Sequence, residues 1–216
     1  MRVVCLHGLG GTGATMWPIV GHLSSAHHTA FAPTLPGHGG VPDDLIGIGF
    51  DQWLDAARDW PADVAVGQSM GAILALALAA EGRVRAAVVI NPLAPDPDAV
   101  DGLEWRQSRG TTTIDVGPSA LGEVAYEHLP IEALLAMHTG LLALDLTRVQ
   151  VPVLVVTSAN DDVVDPACSD VVAAALSGPV ERLLLPNGGH VASLDADCDV
   201  LGHAIVDFVA ALDRAD

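Results

Sequence analysis

Short, continuous apolar runs alternate along this chain with segments that have helical spacing. Runs rich in Val, Ile and Leu are typical of strands buried on both faces of a parallel sheet. Strands that alternate with helices predict an α/β fold, with a six-stranded, mostly parallel, doubly wound sheet. The predicted strands are residues 2–6, 29–33, 64–66, 84–90, 151–156 and 180–185.

The predicted helices fall into two groups. One group follows the strands and comprises residues 14–25, 50–60, 72–80, 166–176 and 193–212. The second group lies in a stretch that opens with several Pro and Asp residues and contains no good buried strand; its members are residues 103–109, 120–128 and 131–144. Because this stretch breaks the alternation, we interpret residues 1–216 as a single domain with an insertion at approximately 92–147.

No apolar run in the sequence approaches the ~18 residues that a membrane-spanning helix needs. The apolar run at residues 3–6 is also too short for the core of a signal peptide, because His7 and Gly8 interrupt it. We therefore predict a first strand at this position and a cytoplasmic protein without a membrane partner. The three Cys residues show no metal-ligand spacing, which favours free thiols in a reducing compartment.

The chain is strongly acidic, with 27 Asp and Glu residues against 9 basic residues and a formal net charge of −18. Such a surface repels nucleic acid and anionic lipid. It also disfavours a strongly anionic substrate. The charge therefore excludes nucleic acid as an expected partner but carries no information about the fold.

The pentapeptide Gly67-Gln68-Ser69-Met70-Gly71 lies between a predicted buried strand and a predicted helix. In a strand-to-helix turn this tight, the central Ser has a strained backbone and its hydroxyl projects from the sheet edge. The N-terminus of the following helix favours an anion at the same point. The alternative is a Gly-rich turn with a helix-capping Ser, and the pentapeptide alone does not separate the two.

A second Gly-rich loop, residues 8–13, follows the first predicted strand. Its letters match the Gly-x-Gly-x-x-Gly spacing of a dinucleotide-binding loop, so nucleotide binding stays open as an alternative. However, no acidic residue ends a second strand about 20 residues later, as that fingerprint requires. Cofactor binding is therefore the weaker interpretation.

A Ser hydroxyl needs a base to remove its proton, and the base needs an acid to fix its tautomer. In a doubly wound sheet these groups belong on loops at the carboxyl ends of strands. The loop after residues 151–156 contains Asp161, Asp162 and Asp165, and the loop after residues 180–185 contains His190. The order Ser, Asp, His along the chain is the one expected for a nucleophile on such a strand-to-helix turn.

Five motifs occur in order along the chain and together form a specific pattern. They are His7-Gly8-Leu9, Leu35-Pro36-Gly37-His38-Gly39, Gly67-Gln68-Ser69-Met70-Gly71, Asp161-Asp162-Val163-Val164-Asp165-Pro166 and Gly189-His190-Val191.

On these motifs the chain resembles the α/β-hydrolase family, and within it small carboxylesterases and monoacylglycerol-lipase-like enzymes. The resemblance implies an α/β-hydrolase fold with a short helical lid, ending near residues 128–144. It also implies Ser69 as nucleophile, Asp161 as acid and His190 as base, with an oxyanion hole from the backbone N–H groups of Leu9 and Met70. Larger members begin with an extra hairpin of strands, and this sequence starts directly at the strand before His7.

Three neighbouring Asp residues compete for the role of the acid. Asp165 precedes Pro166, which suits it to capping the next helix. Asp161 lies nearer the strand end and holds the position five before Pro that the resembling esterases give their acid. Asp161 is therefore favoured over Asp162, although the residues alone leave both open.

The sequence thus predicts a serine hydrolase that cleaves short- to medium-chain soluble carboxylic esters through an acyl-enzyme, without a cofactor or metal. The same residues could instead act on a thioester, a lactone, a peracid or a carbon–carbon bond. A non-catalytic protein that binds a small ligand is the alternative from another class. Nothing in the sequence determines the oligomeric state.

Overall fold

The computed structural model describes residues 1–118 and 122–214. Within them, six parallel strands form the main sheet in the order β2-β1-β3-β4-β7-β8, and two antiparallel strands form a separate small sheet. The doubly wound parallel sheet predicted from the sequence is confirmed. The strands are β1 (Arg2–Leu6), β2 (Thr29–Phe31), β3 (Val64–Gln68), β4 (Ala86–Ile90), β5 (Thr113–Asp115), β6 (His128–Pro130), β7 (Val153–Ser158) and β8 (Val180–Leu185).

Helices cover both faces of the main sheet, so alternate residues of its strands enter two separate cores. The helices are α1 (Trp17–Ser25), α2 (Phe50–Arg58), α3 (Met70–Ala80), α4 (Pro97–Ser108), α5 (Ile131–Ala143), α6 (Cys168–Ala175) and α7 (Cys198–Asp213). On β1, Val3 and Cys5 pack with α1 and α7, whereas Val4 and Leu6 pack with α2, α3 and α5. None of the described helices has both the length and the apolar composition needed to cross a membrane.

The segment between β4 and β7 differs from the sequence-based expectation. The predicted helix at residues 120–128 is wrong: residues 122–127 form no helix and His128 begins β6, while residues 120 and 121 lie outside the described part. The antiparallel pair β5–β6 was not predicted, because three-residue strands are too short to display an alternating pattern. Helix α4 also begins six residues earlier than predicted, because the Asp96 side chain accepts the N–H of Asp98 and caps its start.

Two glycines allow α3 to lie directly against the sheet. A Cβ on Gly71 would overlap the carbonyl oxygen of Leu6 in β1, and a Cβ on Gly67 would overlap the carbonyl of Gly71. Every residue of α3 is buried, as expected for a helix that is apolar on all sides. The close approach of α3 and β1 therefore fixes the turn that joins β3 to α3.

The loop after β1 is held by a buried histidine. His7 is fully buried; its Nδ1 donates to the carbonyl of Gly8 at 2.8 Å, and its Nε2 accepts the N–H of Leu35 at 3.0 Å. Burial and the neighbouring His38 lower the pKa of His7 from 6.5 to about 3, although the bond to Gly8 opposes the shift. His7 is therefore a neutral structural residue that joins the loops following β1 and β2.

Replacing Gly71 tests the close approach of α3 to β1. We expect Gly71→Ala to lower the free energy of unfolding by about 3 kcal/mol, because backbone must move to admit the new methyl group. Gly102→Ala is the matched control, since Gly102 lies in α4 with no atom within 4 Å of an added Cβ. That substitution should stabilise the protein by about 0.5–1 kcal/mol, and urea unfolding measures both. Equal effects of the two substitutions would contradict the packing described for α3.

The buried neutral His7 predicts a loss of stability in mild acid. Its pKa is lower in the folded protein than the ~6.5 of an unfolded chain, so the unfolded state takes up the proton first. The contribution of neutral His7 to the free energy of unfolding is complete above pH 6.5 and decreases as the pH falls towards 3. At pH 5 it is smaller by about 2 kcal/mol. Urea unfolding at pH 7 and pH 5 should therefore show a smaller loss for His7→Gln than for the unmodified protein. An identical loss in both would show that His7 is not the group responsible.

Candidate active site

Ser69 lies on the turn between β3 and α3 in a strained conformation. Its φ of 56° and ψ of −119° are unfavourable for a residue with a side chain. The Ser69 N–H donates to the carbonyl of Ile90 at 3.0 Å, which continues the pairing of β3 with β4 into the turn. Ser69 is partly exposed although the residues on either side of it are buried. The fold therefore holds one hydroxyl-bearing side chain at the carboxyl edge of the sheet.

Asp161 and His190 meet at the same edge of the sheet. Asp161 follows β7, His190 follows β8, and the imidazole Nδ1 lies 2.8 Å from Oδ2 and 3.1 Å from Oδ1 of the carboxylate. The side chain of Asp161 is 2% exposed and that of His190 14%. An ionised carboxylate can only accept, so Nδ1 carries a proton, and the neutral form of this imidazole has its lone pair on Nε2.

The surroundings of Asp161 keep it ionised. Burial raises its pKa, but the hydrogen bond and charge of His190, with the N–H groups of Val164 and Val163, outweigh burial and leave the pKa below its usual value. Both N–H groups donate to Oδ1 at 2.9 Å. Asp162 is exposed. Asp165 accepts the N–H of Ala167, but α6 begins at Cys168 without a side-chain cap, so the helix cap predicted for Asp165 is not formed. Of the three neighbouring Asp residues, Asp161 alone contacts His190 among the described residues.

The loop that carries His190 is attached to the strand that carries Ser69. The buried side chain of Gln68 accepts the N–H of Ser193 at 3.1 Å, so the residue before Ser69 holds the residue three after His190. Among the described residues, no hydrogen bond joins the Ser69 hydroxyl to the His190 ring. Catalytic hydrogen bonds are often long without substrate and shorten only in the complex. The side chains of Ser69 and His190 therefore lie at the same edge of the main sheet without a direct hydrogen bond.

Backbone N–H groups lie beside Ser69. The carbonyl of Gly8 accepts from Nδ1 of His7 and from the N–H of Gly11, which fixes the Gly8–Leu9 peptide plane. In a trans peptide the Leu9 N–H must point away from that carbonyl. An added Cβ on Gly8 would lie 3.7 Å from the Ser69 hydroxyl, so the residue before Leu9 borders Ser69. Neither the Leu9 nor the Met70 N–H has an acceptor among the described residues.

Two carboxylates that the sequence reasoning missed hold the His190 loop. Asp197, 5% exposed, accepts the backbone N–H groups of Asn187 at 2.7 Å and Gly188 at 3.1 Å, and Asp195 accepts that of Gly189 at 2.6 Å. The hydrogen bonds from Asn187 and Gly188 also hold the pKa of Asp197 below its usual value. The sequence offered one sign of the role of Asp195 and Asp197: acidic residues shortly after a Gly-rich turn can accept the free N–H groups of that turn.

The segment before β6 reaches over the loop that follows β1. The Tyr126 N–H donates to the carbonyl of Gly10 at 3.0 Å, and its hydroxyl donates to the carbonyl of Gly37 at 3.0 Å. The Leu129 side chain packs on Gly10. This part of the predicted lid therefore contacts the Gly-rich loop directly.

Other possible sites do not coincide with Ser69. Within residues 1–118 and 122–214, no group of three or more His, Cys, Asp or Glu side chains is arranged to hold a metal ion. A cavity of about 540 Å³ lies between α2, α5 and the C-terminal half of α3. Its nearest α3 residue, Ala77, is eight residues along the helix from Ser69, or about 12 Å. The cavity is therefore separate from the Ser69 edge.

Comparison with known sequences agrees with this geometry. Residues 3–202 match the family described as "Alpha/beta hydrolase family". The chain is 28% identical over 225 residues to a protein named thermostable monoacylglycerol lipase from Bacillus sp. (strain H-257), and the match covers 96% of this chain and 90% of that protein.

Solved structures show the same architecture. A structure from work on LipS and LipT, two metagenome-derived lipolytic enzymes, superposes with a TM-score of 0.86 at 26% identity, covering 97% of this chain and 93% of that one. The monoacylglycerol lipase of Paleococcus ferrophilus superposes with a TM-score of 0.77 at 14% identity, covering 97% and 94%. The family match spans nearly the whole chain, and the sheet order and the turn at Ser69 agree with it: the protein belongs to the alpha/beta hydrolase family.

Proposed function

We propose that the protein is a serine hydrolase of carboxylic esters, with Ser69 as nucleophile, His190 as base and Asp161 as acid. The observation that carries this proposal is the 2.8 Å contact of His190 with a buried, ionised Asp161 at the sheet edge where Ser69 is held in a strained turn. Strained backbone and an oriented imidazole are what nucleophilic catalysis by a hydroxyl requires. The names of the lipase relatives support an ester as substrate.

The proposed reaction has two steps. Nε2 of His190 takes the Ser69 proton as the hydroxyl oxygen attacks the ester carbonyl, and Asp161 stabilises the imidazolium. The tetrahedral oxyanion accepts the N–H groups of Leu9 and Met70, which have no other described partner. His190 then protonates the leaving alcohol, and the acyl group stays on Ser69. A water molecule, deprotonated by His190, cleaves the acyl-enzyme and releases the acid.

We also propose that residues 92–147 act as a short lid over a site for soluble esters of short to medium chain length. The apolar residues Met137 and Leu141 of α5 are buried in the core, so they anchor the insertion to the sheet. Trp105 on α4 is 64% exposed and contributes nothing to an enclosed pocket in this structure. Because α4 has no buried residue and α5 packs into the core, we expect a limited acyl site.

The alternatives have less support. A dinucleotide bound at Gly8–Gly13 would need open space above Gly10, where Leu129 and the Tyr126 backbone pack. A non-catalytic ligand-binding protein would have no use for a strained Ser beside a His–Asp pair. Action on a thioester, lactone, peracid or carbon–carbon bond uses the same residues, and assays with a panel of these substrates beside the esters distinguish the reactions.

A graded series of p-nitrophenyl esters tests the proposed activity. We expect kcat/KM to rise by up to about fourfold per added CH₂, the equivalent of ~0.8 kcal/mol, until the acyl site is filled at short to medium length. Ser69→Ala should abolish turnover with an unchanged circular dichroism spectrum. Ser24→Ala, an exposed Ser on α1, is the control and should leave kcat/KM unaltered. Full turnover by Ser69→Ala, or a preference for emulsified long-chain triglyceride, would refute the corresponding part of the proposal.

Two adjacent carboxylates allow a matched test of the acid. Asp161→Asn should lower kcat by about 10⁴-fold, because an amide in place of the carboxylate favours the wrong His190 tautomer. Asp162→Asn, an exposed neighbour with the same change in charge, should lower it by less than about tenfold. Steady-state kinetics of the two variants at pH 8 gives the comparison. The reverse ranking would assign the acid to Asp162.

A further inference from the structure

One buried polar side chain at the active edge has no part in the proposed reaction. Asn91 directly follows β4, is 3% exposed and has a φ of 48°. A buried amide costs stability unless its donors and acceptor are satisfied. The groups that satisfy it therefore indicate what Asn91 does.

Asn91 joins the loop that carries His190 to the strand that precedes Asp161. Its Nδ2 donates to three acceptors, with one N–H shared between two of them: the carbonyl oxygens of His190 at 3.0 Å and Gly189 at 3.2 Å, and the hydroxyl of Ser158 at 2.9 Å. Its Oδ1 accepts the N–H of Ser158 at 2.8 Å. This set of partners fixes the orientation of the amide, because only nitrogen can face the two carbonyl oxygens and only oxygen can face the N–H.

Ser158 ends β7, three residues before Asp161, and its carbonyl accepts the Asp161 N–H at 3.4 Å. A single side chain therefore connects the backbone of His190 with the start of the loop that carries Asp161. We propose that Asn91 is a positioning residue, which holds the His190 ring where its Nδ1 meets Asp161 and its Nε2 can face Ser69. This inference rests on the proposed function, because the role given to Asn91 is to orient His190 as the base.

The residue type fits this role. Asn adopts positive φ with less strain than most residues that carry a side chain. Asp has the same shape but would set a carboxylate oxygen against the carbonyls of Gly189 and His190, which repels them. Gly accepts the same φ but leaves both carbonyls without this donor. Asp and Gly substitutions therefore remove the donor in two independent ways while keeping the backbone conformation.

The experiment compares Asn91→Asp and Asn91→Gly with Asn160→Ala. Asn160 is a matched control, because its exposed amide also links the same two loops, through the carbonyl of Pro186 at 3.1 Å, without touching His190. We expect kcat to fall by about 100-fold in both Asn91 variants, because a displacement of about 1 Å in a reacting group has that effect. KM should change by less than about threefold, since substrate binding is not altered. Asn160→Ala should retain the kcat of the unmodified protein within about threefold.

Proton NMR supplies a readout that a merely structural role would leave unaltered. The Nδ1–H proton of His190, bonded to Asp161, should give a far-downfield signal in the unmodified protein and in Asn160→Ala. The signal should be lost or shifted in both Asn91 variants while the circular dichroism spectrum stays the same. The NMR and circular dichroism spectra are recorded at the assay temperature, and the circular dichroism spectrum shows whether each variant is folded when kcat is measured.

The outcomes separate this inference from the proposed function. If the unmodified protein hydrolyses no ester, the proposed function fails whatever the Asn91 variants do. The proposed function stands if the unmodified protein hydrolyses esters and Ser69→Ala does not. In that case the positioning role is wrong if either folded Asn91 variant keeps both the kcat and the downfield signal of the unmodified protein. If both Asn91 variants unfold at the assay temperature, Asn91 is a folding residue and the positioning role is likewise refuted.

Discussion

The close contact between α3 and β1 is the constraint on which the active edge depends. Because Gly71 lies against the Leu6 carbonyl without space for a Cβ, the chain must turn sharply from β3 into α3. Ser69 takes the strain of this turn, with a positive φ. A wider turn would relieve the strain, but it would also move the hydroxyl away from the end of the sheet. The tight packing of α3 on the sheet therefore determines where the Ser69 hydroxyl lies.

Around this turn, polar side chains hold the loops that form the active edge. Gln68 holds Ser193, Asp195 and Asp197 hold the turn before His190, and His7 holds the peptide that precedes Leu9. Each of these side chains forms a hydrogen bond with a backbone N–H or C=O group of a loop. The loops therefore gain order from hydrogen bonds to rigid strand ends, which is the preorganisation that the proposed chemistry needs.

The main sheet and the order of its site residues could be predicted from sequence because they depend on local patterns. Apolar runs marked the six strands of the main sheet, and Gly67-x-Ser69-x-Gly71 marked the turn. The β5–β6 pair could not be predicted, since each strand has three residues and its pairing depends on contacts far apart in sequence. Asn91 escaped notice for a related reason: its importance lies in bonds to residues 67 to 99 positions away. Its one local signal was an Asn at the end of a buried strand, a position where positive φ is common.

Reaction with a fluorophosphonate, followed by peptide mapping, tests the central claim most directly. Such a reagent phosphonylates a Ser that is deprotonated by a neighbouring base, and it leaves ordinary hydroxyl groups unmodified. The account predicts one phosphonyl group per chain, on the peptide that contains Ser69, with a labelling rate that falls strongly in Asp161→Asn. Labelling of a different residue, or no labelling of a preparation that still hydrolyses esters, would contradict it.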